Sequence, residues 1–220
     1  MIVTIDGPAG AGKSSAARVL AARLGFRFLD TGSMYRAVTL AAVRSGIDLT
    51  DADALLQVAI DSEIYLTEGR VRLNGHDVTR EVRSLEITSA TRYAADHPGV
   101  RDRLVELQRR AAEGDDVVTE GRDQATVVFP DAECKIFLTA GEETRARRRH
   151  ADLLSRGEQV TYDEVLEKQQ ARDHRDQTRP VGALIKAPDA VVLDTDGLTP
   201  DEVVERLMAI VESRRPANHS

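Results

Sequence analysis

The chain has 220 residues, 41% of them hydrophobic and 30% charged, which suffices for one substantial core or for one core with a small added lobe. A formal net charge of -7 argues against a protein that coats nucleic acid, so any anionic ligand has to be held by local clusters of arginine. The single cysteine, Cys134, excludes an internal disulfide framework, and no apolar run reaches the roughly 18 residues that a membrane-crossing helix needs.

The chain opens on "MIVTID", which reads as a strand (2–6) without the charged and apolar regions of a signal peptide, so a cytoplasmic protein is expected. The next segment, "GPAGAGKS", satisfies G-x-x-x-x-G-K-[ST] and lies between a strand pattern and an Ala/Leu/Arg-rich helical pattern. In that context the glycines let backbone N–H groups converge on phosphate oxygens, the helix N-terminus adds partial positive charge, and the lysine reaches the outer phosphates. Gly7, Pro8, Ala9, Gly10, Ala11, Gly12, Lys13, Ser14 and Ser15 are the candidate nucleotide-binding residues, and the Ser14 hydroxyl is the candidate Mg²⁺ ligand.

Further strands are predicted at 26–31 ("FRFLDT"), 117–120 ("VVTE"), 134–140 ("CKIFLTA") and 190–195 ("AVVLDT"), with helical stretches between most of them. Such alternation predicts an α/β protein with a five-stranded parallel sheet covered by helices on both faces. Residues 62–80 break the pattern: "EG" and "NG" between strand-like runs predict a small antiparallel insertion. Two helical patterns follow over 81–113 and meet at Pro98 and Gly99. The expected organisation is a single domain over 1–220 with an inserted lobe at 62–113. The last helix has Thr199 as N-cap, Pro200 at the first helical position and Glu202 three residues after the cap, and the "RRPANHS" end is expected to fray. Cys134 reads as a core residue and the five histidines, which show no ligand spacing, as structural or surface residues.

A phosphate-binding loop does not name a reaction. No N-K-x-D follows to read guanine, and the D-x-x-G at 194–197 comes after the last strand, too late for a GTPase switch. Arginines, however, fall just after strand ends or in helices near them: Arg36, Arg101, Arg122, Arg172, Arg175 and Arg179. In parallel α/β sheets ligands sit at strand ends, and planar, permanently charged guanidinium groups bind phosphate bidentately.

The motifs "TIDGPAGAGKS", "LDTGSMYR", "GRDQATVVFPDA", "KIFLTA" and "RDHRDQTR", in this order and spacing, resemble those of the bacterial cytidylate kinases, a branch of the nucleoside monophosphate kinases, over nearly the whole chain. The resemblance implies transfer of the γ-phosphoryl group of ATP to CMP or dCMP with Mg²⁺, a monophosphate-binding lobe, and a mobile lid, which is placed at 150–162. It implies that Thr31, Arg36, Arg122 and Arg179 hold the acceptor phosphate, that Arg172 and Asp176 contact sugar or phosphate, and that Arg101 and Asp123 read the pyrimidine. From the run "RARRR" (145–149) Arg148 is the expected lid contact to ATP, and Lys13, Arg122 and Arg148 are the expected catalytic residues. A monomer with no nucleic-acid or membrane partner is expected. Four positions depart from the family's usual residues: Glu120 for Asp, Ala125 for Gly, Ala183 for Pro, and Arg92 where a Ser touches the base. For the last, either Ser89 or Thr91 takes the contact or the contact differs. A kinase for UMP or another monophosphate, and a nucleotide-driven switch that hydrolyses ATP without an acceptor, are the alternatives.

Overall fold

The structure, a computed structural model, describes residues 1–67, 69–155 and 157–215. The chain divides into two compact units, Met1–Phe26 with Val118–Ser220, and Arg27–Val117. Strands β1 (Ile2–Asp6), β2 (Arg27–Asp30), β6 (Val117–Gly121), β7 (Cys134–Thr139) and β8 (Val191–Asp194) form a five-stranded sheet in the order β2-β6-β1-β7-β8. The strands β1 and β7 run parallel with Ile5 opposite Ile136, and β7 and β8 run parallel with Leu138 opposite Leu193. The α/β class with a small additional antiparallel sheet is therefore the one that the strand–helix alternation predicts.

In the first unit, Val3, Ile5, Ile136 and Leu138 of the central strands are fully buried, as apolar runs in a sheet covered on both faces must be. Helix α1 (Lys13–Leu24) buries Ala16, Ala17, Leu20 and Ala21, the face expected of helical spacing, and ends on Gly25 in the left-handed conformation. Helices α6 (Glu142–Ser155) and α7 (Tyr162–Thr178) pack on each other, and α8 (Pro200–Arg214) buries Val203, Val204, Leu207 and Val211. The fraying expected of the C-terminal end concerns mostly residues 216–220, which lie outside the described residues.

The second unit contains helices α2 (Thr31–Arg44) and α3 (Ala52–Asp61), a three-stranded antiparallel sheet of β3 (Ile64–Thr67), β4 (Arg70–Leu73) and β5 (His76–Asp77), and helices α4 (Leu85–Asp96) and α5 (Pro98–Ala112). This compact unit takes in α2 and α3 together with residues 62–113 because Met34 and Val38 of α2 and Leu55 of α3 share one core with Val71, Leu73, Ile87 and Leu104. The "NG" turn has Asn74 and Gly75 at φ 49° and 81°, the two left-handed residues of a tight hairpin. The join of α4 and α5 is tighter than expected. Pro98 starts α5 and Gly99 is already helical, since His97 alone serves as N-cap, its Nδ1 accepting from the Val100 N–H at 3.2 Å. Among the described residues no helix is long and apolar enough to cross a membrane.

The start of α8 has the full reciprocal cap: Thr199 Oγ1 accepts from the Glu202 N–H at 3.3 Å, and Glu202 accepts from the Thr199 N–H at 2.8 Å. Thr199→Ala is expected to lower stability by about 1 kcal/mol, measured by chemical denaturation, with Thr199→Asn close to wild type.

Candidate active site

The loop between β1 and α1 is shaped by close packing as much as by glycine freedom. A Cβ at Gly7 would lie 1.9 Å from the Leu138 carbonyl oxygen, so the loop can leave β1 only through glycine. Gly12 caps α1 in the left-handed conformation at φ 90°, and the first turn of α1 holds no acidic residue to neutralise its positive end. Lys13 is buried, and its Nζ donates to the Pro8 carbonyl at 2.7 Å across its own loop. Burial, seconded by the positive charge of Arg122, lowers the Lys13 pKa to about 7. An ammonium group so disfavoured is a ready partner for an anion, which would restore its charge.

At the exposed start of α1, Ser14 Oγ donates to Glu120 Oε1 at 2.6 Å, so the last acidic residue of β6 meets the hydroxyl that follows the lysine. Hydroxyl and carboxylate oxygens are the ligands that a hard divalent cation takes.

Beyond β6 the chain turns through a π-helical segment, Gln124–Val128, in which the Asp123 carbonyl accepts from the Val127 and Val128 N–H groups. Arg122 sits at the mouth of this turn, and its Nε donates to Asp176 Oδ2 of α7 at 2.7 Å. Arg172 and Arg179 approach the same carboxylate at 4.0 and 3.7 Å. Burial opposes the charge of both Arg122 and Asp176. Their attraction outweighs it, so the Arg122 pKa is raised and the Asp176 pKa is lowered, with Arg172 and Arg179 contributing to the latter. Three guanidinium groups around one carboxylate leave a net positive charge, which suits a phosphate. Asp123 is buried on the same turn.

In the second unit, the Asp30 side chain caps α2 by accepting from the Ser33 N–H at 3.0 Å. Arg36 donates from Nη2 to Ser33 Oγ at 2.6 Å and to Asp30 Oδ1 at 3.3 Å, while its buried Nε has no hydrogen-bond partner among the described residues. Thr31 is the buried first residue of α2. Arg101 on α5 lies over the Tyr35 ring at 5.5 Å and donates to the Ala95 carbonyl at 3.0 Å. Arg92 is exposed and stacks on the neighbouring Tyr93 at 4.8 Å.

Within the first unit, Lys13, Ser14, Glu120, Arg122, Arg172, Asp176 and Arg179 thus form one connected charged constellation. Arg148 lies against the end of β8. Its guanidinium donates to Thr195 Oγ1 at 2.9 Å and to the Thr195 carbonyl at 2.7 Å. It is Arg145, three residues earlier in the run, that reaches the phosphate-binding loop: it donates to the Ala9 carbonyl at 2.9 Å, to Ala140 at 3.0 Å and to Asp173 at 2.5 Å. Nothing in the run of four arginines distinguishes Arg145, because its burial is set by the phase of α6 against α7. The sequence reading also missed Asp6, a buried carboxylate that ends β1. Its only signal is an acid placed directly between an apolar strand and a glycine.

The fold resembles those of TT1252 from Thermus thermophilus (TM-score 0.51, 22% identity, 99% of this chain and 98% of that one) and of a shikimate kinase from Bacteroides thetaiotaomicron (TM-score 0.50, 14% identity, 96% and 98%). In sequence the chain is 51% identical over 211 residues to a cytidylate kinase of Rhodopirellula baltica, covering 96% of this chain and 92% of that protein. It is 49% identical over 218 residues to a cytidylate kinase of Mycobacterium leprae, covering 99% and 98%. The family model described as cytidylate kinase matches residues 3–213, and with these relatives it establishes that the chain belongs to the cytidylate kinase family and is a kinase, a phosphotransferase that acts on nucleotides.

Proposed function

We propose that the protein transfers the γ-phosphoryl group of ATP to CMP or dCMP, giving ADP and CDP or dCDP. The observation that carries this reading is the net positive cluster of Arg122, Arg172 and Arg179 around Asp176 in the same unit as a buried Lys13 that is short of an anion. A nucleotide hydrolase without an acceptor needs the loop but not the cluster.

The second pKa of a phosphate monoester is about 6, so the attacking oxygen of the acceptor is already ionised at neutral pH and no catalytic histidine is needed. The work left to the protein is to bring two polyanions into line and to stabilise charge on the migrating group. Residues 7–15 hold the ATP phosphates and Lys13 neutralises charge as it develops. Thr31, Arg36, Arg122 and Arg179 hold the acceptor phosphate, with Arg172 and Asp176 on its sugar or phosphate. Arg101 and Asp123 read the pyrimidine. Mg²⁺ fits the Ser14 hydroxyl and Glu120 carboxylate, which would hold it; when bound it supplies neutralisation of phosphate charge. The exposed stacking of Arg92 on Tyr93 supports a surface role for that residue. The binding of Arg148 to Thr195 supports a structural role in this state, with contact to ATP left to a rearranged lid.

The lid is proposed at 150–162, of which Arg156 lies outside the described residues. None of its described residues is buried, and its ties include the His150 ring nitrogen with the Val160 carbonyl at 3.0 Å and the capping box at Thr161. Segments with so little buried surface open at low cost. Hydrogen exchange in 150–162 is expected to slow on binding CMP with a bisubstrate analogue, and equal exchange in both states would remove the lid from this segment.

Lys13→Ala is expected to cut kcat by roughly 100-fold or more while changing CMP affinity little, since the ammonium acts on charge that appears in the transition state. Near-normal turnover would remove Lys13 from the reaction.

Base selection gives the direct test of the acceptor. An ionised carboxylate only accepts, so Asp123 suits the cytosine N4 amine and opposes the uracil O4. Wild type is expected to prefer CMP over UMP at least tenfold in kcat/KM, within the roughly 1–3 kcal/mol of a bidentate base contact. Asp123→Asn should lose activity on CMP and narrow that gap. ADP release that is independent of any monophosphate would favour the hydrolase instead.

A further inference from the structure

Two buried carboxylates of the first unit are not used by the reaction as described: Asp173, which holds Arg145, and Asp6. Asp6 is 2% exposed at the last position of β1. One of its oxygens accepts from the Gln124 N–H at 3.0 Å and the other from the Ala125 N–H at 2.8 Å. These are consecutive amides of the turn that follows Arg122 and Asp123, 118 and 119 residues away in sequence. We infer that Asp6 is a positioning residue: its two-oxygen clamp fixes the Arg122–Asp123 turn to the strand that launches the phosphate-binding loop, and so sets the base-reading carboxylate relative to Lys13.

Three features favour this role. Asp6 cannot shift without the loop shifting, because Gly7 follows it directly and is wedged against the Leu138 carbonyl. Other bonds close the turn on β6 and on itself, Thr119 Oγ1 donating to Gln124 Oε1 at 2.9 Å and the Phe129 N–H to the Gln124 carbonyl at 2.7 Å, whereas the two Asp6 bonds join it to β1. The charge, moreover, is held at a cost to the fold. Burial pushes the Asp6 pKa up to about 6, against the pull of the two amide bonds, with the Asp123 carboxylate adding to the rise and Lys13 opposing it. A group of folded-state pKa above its unfolded value destabilises the fold once pH exceeds both, so an ionised Asp6 is not there for stability. What ionisation gives is a second acceptor, since a protonated carboxyl would direct an O–H at one of the two N–H donors.

The inference rests on the proposed reading of the base by Asp123 for one of its readouts and not for the others. Asp6→Asn keeps one acceptor oxygen and turns an NH₂ toward the second amide. In the ligand-free variant, hydrogen exchange at the Gln124 and Ala125 amides should quicken at least tenfold while the amides of β1 stay protected. In turnover, the CMP to UMP ratio of kcat/KM should narrow at least threefold with KM for ATP within twofold. A defect that only lowers the folded fraction would scale all substrates alike and leave both KM values and the ratio unchanged. Unchanged exchange, or an unchanged ratio in a wild-type background that does prefer CMP, overturns the clamp. A wild type without preference would instead sink the role of Asp123 and leave the exchange result to decide on Asp6. Should Asp6→Asn not fold, the wild type serves: the Asp6 carboxyl carbon and the Gln124 and Ala125 amide protons should titrate with one shared midpoint in NMR, and separate midpoints would overturn it.

Discussion

The arrangement of the first unit depends on keeping like charges together before any anion arrives. Guanidinium groups repel one another, more so where water is excluded, and Arg122, Arg172 and Arg179 converge on the Asp176 carboxylate. Asp176 makes that possible. A carboxylate held below the usual range remains charged at any physiological pH, and its position near the end of α7 lets it serve Arg172 one helical turn before it and Arg179, the residue that caps the helix, three residues after it. One carboxylate at their meeting point leaves most of the positive charge for a phosphate; a second there would leave less and compete with it, whereas none would let the arginines turn outward to solvent.

The same logic of an unfinished charge balance runs through the loop. Lys13 lies over the Pro8 carbonyl, a neutral acceptor that satisfies one of its three N–H donors without cancelling its charge. Arg36 in the second unit has Asp30 only at 3.3 Å and leaves a buried Nε without a partner among the described residues. Full ion pairs would stabilise these cations more, but they would have to be broken for every ligand. Arg145 shows the contrast: it is locked by Asp173 and two carbonyls, and its part is to join α6 and α7 to the phosphate-binding loop.

How much of this the sequence discloses follows from the range of the interactions. Those written within a few residues are legible: the glycine loop with its lysine, the Thr199–Glu202 capping box, and the Asn74–Gly75 hairpin. The interactions that organise the site join distant positions. Ser14 meets Glu120 across 106 residues, Arg122 meets Asp176 across 54, and the amides of Gln124 and Ala125 find Asp6. No local pattern encodes such pairs. The arginine run shows the limit most directly, because four guanidinium groups of one helix look alike in sequence and are told apart by what α7, β8 and the loop present to each: Asp173 and Ala9 to Arg145, Thr195 to Arg148, solvent and Glu143 to Arg147.

A division of labour between charge and shape then accounts for the kinds of residues found. The cluster proposed for the acceptor phosphate is built from groups whose charge does not depend on pH near neutrality, arginine and an acidified carboxylate, because phosphate itself brings the ionised nucleophile. The groups that do titrate near neutrality, Lys13 and Asp6, are those removed from water, and each is tied to backbone rather than to an opposite charge. Backbone partners do not move when a ligand binds. A cation held by a carbonyl can be handed to a phosphate, and a carboxylate held by two amides keeps its turn in place while that happens, so the scaffold stays fixed as the charges it carries are neutralised.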